Sequence, residues 1–109
     1  MVGLKEIQGL AERIARKFRP ERIILFGSYA EGKPTADSDV DLLVLLPHAG
    51  KSWRMAAQIR THVQADFPLD LLVRAPEEMR RKVAAGDPFL RAIADKGIVL
   101  CARDREGMG

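Results

Sequence analysis

Two aspartates one residue apart, Asp39 and Asp41, stand at the mouth of the apolar run "VDLLVLL" (40–46), and ten residues separate Asp39 from a Gly27-Ser28 pair. In an extended strand, side chains two apart share a face, so the two carboxylates project together while Val40, Leu42 and Val44 turn the other way. A third carboxylate, Asp70, opens the similar run "LDLLV" (69–73) and joins the pair if the two strands are neighbours. Two like charges ~4 Å apart repel by about 4 kcal/mol at an effective dielectric of 20. That is a large share of the ~5 to 15 kcal/mol that stabilises a whole domain. Either the carboxylates do not converge, or divalent cations occupy the gap between them. Ligands that are all oxygen suit Mg²⁺ or Mn²⁺, and two such ions would suit phosphoryl transfer. Gly27 lets a phosphate approach the backbone, Ser28 adds a hydroxyl donor, and "SYAEG" is long enough for one helical turn.

The same stretch allows two other readings, and both fail. Gly27 to Lys33 fits the G-x-x-x-x-G-K of a P-loop, but the next residue is Pro34, which has no hydroxyl for magnesium and no N–H to start a helix. Asp37, Asp39 and Asp41 have the D-x-D-x-D spacing of a calcium loop, but the sixth and twelfth places hold Leu42 and His48 instead of Gly and Glu.

The elements that must position these residues are legible in outline. Leu4, Ile7, Leu10, Ile14 and Phe18 recur at helical spacing, which predicts an amphipathic helix over 4–18 closed by Pro20. "RIILF" (22–26), "VDLLVLL" (40–46), "LDLLV" (69–73) and "IVLCA" (98–102) are apolar runs bounded by Gly or Pro and predict four strands. Ser52 is placed to cap a helix from Trp53 to about Ala65, with Trp53, Ala56, Ala57, Ile59 and Val63 on one side. Pro76 and the Asp87-Pro88 pair open two more helices, the second stopping at Gly97. The order α β β α β α α β predicts a single α/β domain over 1–109, a small mixed sheet of about four strands covered by helices, with a frayed tail from Asp104 to Gly109.

Composition narrows the function. A net charge of +3 is too small to imply nucleic-acid binding, and the basic residues lie outside the segment of interest, where Lys33 is the only one between residues 23 and 50. One cysteine, Cys101, excludes a disulfide framework and makes the cytoplasm the default compartment. No apolar run approaches the length of a membrane span.

With "FGS" (26–28), ten intervening residues, "DSDVDLLV" (37–44) and "LDLLV" (69–73), the chain resembles the DNA polymerase β-like nucleotidyltransferase superfamily, and most closely its minimal nucleotidyltransferases. The likeness runs on weakly through "RAPEE" (74–78) and "DPFLRAIADKGIVL" (87–100). The resemblance implies a palm-like fold in which Gly27 and Ser28 hold the β and γ phosphates of a nucleoside triphosphate. It further implies that Asp39, Asp41 and Asp70 hold two Mg²⁺ ions, with Mn²⁺ as a substitute, and that Asp70 draws the proton from an acceptor hydroxyl. Many relatives carry a basic residue where this chain has Glu31, and Lys33 is the nearest replacement for its phosphate contacts, which makes it a nucleotide-binding candidate beside Gly27 and Ser28. Minimal members commonly accompany a small helical HEPN toxin and act as antitoxins by adenylylating one of its tyrosines, which implies ATP and such a protein as partners.

Two other functions compete. A non-catalytic antitoxin would neutralise its partner by steric complex formation, the palm serving only as scaffold. Alternatively a small molecule or an RNA end would accept the nucleotide, a homo-oligomer completing the pocket. Elsewhere in the chain, Tyr29 is read as a base-stacking or exposed loop residue, Asp37 as a turn residue, and His48 and His62 as surface residues. Trp53 and the methionines are read as core or interface. "RRK" (80–82) is read as a solvated face or a contact for RNA, nucleotide or partner.

Overall fold

A computed structural model describes residues 1–103 of the chain. The predicted tail from Asp104 lies outside these residues. The elements run α1 (Leu4–Phe18), β1 (Arg22–Phe26), α2 (Gly27–Ala30), β2 (Val40–Leu45), α3 (Ser52–Val63), β3 (Leu69–Arg74), α4 (Pro76–Ala84), α5 (Pro88–Lys96) and β4 (Ile98–Ala102). Every predicted helix and strand is present, and α2 is the single turn that "SYAEG" has room for. Among the described residues no helix is long and apolar enough to cross a membrane.

The four strands form one mixed sheet in the order β3-β2-β1-β4. β1 runs antiparallel to both β2 and β4, and β2 runs parallel to β3. A parallel pair needs a crossover, and α3 supplies it. Alternate residues of the strands feed two cores. Ile23, Leu25, Val40, Leu42, Val44, Leu71 and Val73 pack against Ile7, Leu10 and Ile14 of α1 and Ile59 and Val63 of α3. On the other face Ile24, Leu43 and Leu45 pack against Met79 of α4 and Leu90 and Ile93 of α5.

Simple alternation along β2 therefore misses something. Asp41 shares its face with Leu43 and Leu45, which are buried, so that face turns from charged to apolar within two residues. A strand covered on both sides reads as a continuous apolar run, and "LLVLL" is one.

α3 also departs from expectation. Its N-cap is Lys51, and Ser52 is its first residue, with Oγ 3.1 Å from Nε2 of His48. It ends at Val63 because Gln64 takes a left-handed conformation, φ 46°. Trp53 and Ala57 are exposed, and the Trp53 ring carries the Arg54 guanidinium 5.3 Å from its centroid. Only Ala56, Ile59 and Val63 form the buried stripe. In α4, Arg80 reaches Glu21 at 3.5 Å and Lys82 reaches Glu78 at 3.6 Å, so "RRK" is a solvated, partly paired face.

Candidate active site

β1 ends in extended backbone at Phe26, and the chain reverses at Gly27, whose φ is +74°. Only glycine occupies that region without strain. After the one turn of α2 the chain is closed by a pair of reverse hydrogen bonds. The Lys33 N–H donates to the Ser28 carbonyl at 2.9 Å and the Gly32 N–H to the Tyr29 carbonyl at 3.4 Å. This is a Schellman closure, and Gly32, with φ +74°, takes its left-handed position. Tyr29 points into the core, and its hydroxyl accepts from the Val2 N–H at 3.0 Å. It is neither an exposed loop residue nor free to stack on a base, because an apolar ring in a one-turn helix lying on the sheet packs with the core.

The register places the carboxylates. Phe26 pairs with Asp41 across β1 and β2, and Asp41 pairs with Asp70 across β2 and β3. Neighbouring strands lie ~4.8 Å apart, so Asp41 and Asp70 project side by side. Val40 N–H donates to the Pro68 carbonyl at 2.9 Å and extends the pairing to the start of both strands. A Cβ built on Gly27 would fall 2.1 Å from Oδ2 of Asp41, so a side chain there would have to push the Asp41 carboxylate aside.

Burial pushes the Asp41 carboxyl up to about 6, and the charges of Asp70 and then Asp39, with a side-chain contact to Asp70, push the same way. None of these causes is a basic side chain. Asp41 therefore meets like charge from Asp70 and Asp39. Among the described residues no three His, Cys, Asp or Glu side chains close into a ready cage for a metal ion. Mg²⁺ is usually held by one or two carboxylates with water and substrate phosphates completing its shell, and the neighbouring Asp41 and Asp70 are donors of that kind. A donor set of carboxylates alone fits the same hard cations.

Ser28 is half-buried, and its hydroxyl has no hydrogen-bond partner within the described residues. Asp37 is exposed in a turn between Thr35 and Ser38, where the Thr35 N–H donates to Ser38 Oγ at 2.9 Å and the Ser38 N–H to the Thr35 carbonyl at 3.0 Å. Its charge is not among those that act on Asp41. Lys33 is exposed at the far end of the α2 turn from Gly27.

A cleft of about 300 Å³ opens beside Gly27, between α2 and α5, and Glu31, Phe89 and Lys96 line it. Phe89 meets Phe26 edge to face, with ring centroids 5.8 Å apart. Phe89 and Lys96 escaped the sequence reading, because nothing in the spacing of a helix some sixty residues downstream marks it as the neighbour of Gly27.

Residues 7–98 match the family model described as a nucleotidyltransferase domain. The chain belongs to the nucleotidyltransferase family. Among solved structures, this nucleotidyltransferase is similar to a Sulfolobus solfataricus protein provisionally classed as a nucleotidyltransferase. The TM-score is 0.66 at 19% identity, over 94% of this chain and 82% of that one. It is also similar to a toxin–antitoxin structure with AMP-PNP, at TM-score 0.51 and 20% identity, over 93% of this chain and 77% of that one. A third similar structure is the toxin–antitoxin MntA-HpeT carrying two Asp-to-Glu changes two positions apart. There the TM-score is 0.50 at 17% identity, over 93% of this chain and 77% of that one. At these identities the structural likenesses establish the fold. No functionally curated protein matches the chain.

Proposed function

We propose that this nucleotidyltransferase transfers AMP from ATP to a hydroxyl of a partner protein, a tyrosine of a HEPN-type toxin, and so acts as an antitoxin. The observation that carries the reading is the register that sets Asp41 beside Asp70 and against the side-chain-free Gly27. It sets a pair of like-charged carboxylates beside the Gly27 turn, which supports a metal and phosphate site there. The toxin–antitoxin structures supply the kind of partner and an adenine nucleotide analogue, and the altered aspartate pair of MntA-HpeT has the spacing of Asp39 and Asp41.

Asp39, Asp41 and Asp70 would hold Mg²⁺ or Mn²⁺, which would neutralise the triphosphate and polarise its α-phosphorus. The backbone at Gly27 would meet the phosphates beside the Asp41 carboxylate, which fills the space of the missing side chain, and the Ser28 hydroxyl donates to them. Asp70, exposed at the start of the edge strand β3, faces an incoming acceptor and takes its proton. The acceptor oxygen bonds to the α-phosphorus, the bond from that phosphorus to the bridging oxygen breaks, and pyrophosphate leaves with the electron pair. The protein's part is position and charge.

The test is MgATP binding by calorimetry with wild type and with Asp39→Asn, Asp41→Asn. Binding that needs divalent metal and is lost in the double variant is the expected result. Equal binding by the double variant would remove the basis of the reading.

A further inference from the structure

Metal ions held by the carboxylates would neutralise part of a triphosphate, and a side-chain cation from elsewhere in the fold would meet the charge that remains at its far end. Of the residues lining the cleft beside Gly27, only Lys96 is basic. No ion pair among the described residues engages it, although Glu31 lines the same cleft. Its position is fixed by its helix. The Asp87 side chain caps α5 by accepting from the Leu90 N–H at 3.0 Å, and Leu90 and Ile93 are buried against the sheet. Immediately after Lys96, Gly97 packs so closely on β1 that a Cβ there would lie 2.4 Å from Ile24 Cγ2 and 3.2 Å from the Leu25 carbonyl oxygen. The last turn of α5 is therefore seated on the strand that leads into Gly27.

Resting on the function proposed above, we propose that Lys96 binds the β and γ phosphates and receives the departing pyrophosphate. As the acceptor oxygen bonds to the α-phosphorus and the bond to the leaving oxygen breaks, negative charge collects on pyrophosphate. The Lys96 ammonium meets that charge without transferring a proton. Lys33, the sequence's own candidate for this role, lies outside the cleft.

Calorimetric titration of wild type, Lys96→Gln, Lys96→Arg and Lys33→Gln with MgATP, magnesium pyrophosphate and AMP tests this. Lys96→Gln should weaken MgATP and pyrophosphate about ten-fold, the scale of a lost hydrogen bond to a charged group, and leave AMP unchanged. Lys96→Arg should restore most of the affinity, and Lys33→Gln should behave as wild type. The melting temperature of Lys96→Gln should not move, because the side chain is exposed. MgATP binding by Lys96→Gln as tight as by wild type, or equal weakening of AMP, would overturn the assignment. Wild type that binds no MgATP would overturn the underlying function as well, and so separates the two failures.

Discussion

The Asp41 carboxylate occupies the space in which a side chain at position 27 would stand, with Oδ2 2.1 Å from the place of a Gly27 Cβ. The β1–α2 turn and the start of β2 are thus fitted to each other at the level of single atoms. A phosphate bound at the turn and a cation bound by the carboxylate would be immediate neighbours.

A pair of alanine substitutions separates conformation from contact. Gly27 and Gly32 share a φ of +74°, but a Cβ on Gly32 meets nothing within 4 Å. Gly32→Ala should cost only the backbone strain, about 1 kcal/mol, and leave MgATP binding intact. Gly27→Ala should cost more and abolish MgATP binding by displacing Asp41. Chemical denaturation and calorimetry on both variants check this.

The raised Asp41 carboxyl makes a statement about stability. In metal-free protein its folded value of about 6 lies above the ordinary 3.8, so the folded state holds the proton more tightly than the unfolded chain. That stabilisation is fully present below the ordinary value and is lost as pH rises through about 6. Asp41→Asn removes the penalty that remains above that point. The variant should melt above wild type at pH 7.5, and the gap should narrow as pH falls through about 6 and close near 3.8. Melting curves without metal, with chelator present, check it.

Cation binding should reverse the same penalty. Mg²⁺ or Mn²⁺ at pH 7.5 should raise the melting temperature of wild type, because a ligand that binds only the folded state stabilises it by mass action. The rise should be much smaller at pH 5, where protons compete for Asp41, and absent in Asp41→Asn. Differential scanning fluorimetry across metal concentrations gives the answer.

Tyr29 tests the division between scaffold and site. Tyr29→Phe deletes the hydroxyl that accepts from Val2 while keeping the buried ring. It should cost about 0.5 to 1.5 kcal/mol of stability and leave nucleotide affinity unchanged. Reduced affinity for MgATP would instead give Tyr29 a part in binding.

Much of this site was legible in the sequence because its parts are local or periodic. Gly27-Ser28 ends one apolar run, Asp39 and Asp41 open another, and the matching "LDLLV" offered Asp70 as a neighbour. The parallel pairing of β2 with β3 then follows from the α3 crossover between them. What the sequence hid depends on packing between distant elements. Tyr29 looks like a loop residue until the N-terminal segment folds over it. Gly97 reads as a helix stop, yet its φ is an ordinary −71° and its real constraint is contact with β1. Trp53 looks like a core residue by its size and position in α3, but the buried stripe begins only at Ala56.

The most direct test of nucleotidyl transfer is intact mass spectrometry of a co-expressed helical partner after incubation with ATP and Mg²⁺. It should be run beside wild-type protein and beside Asp39→Asn, Asp41→Asn. Transfer predicts that the partner gains one or more AMP units with wild type and none with the double variant. A partner whose mass does not change while it still forms a stable complex would contradict the account and leave steric binding as the mode of action.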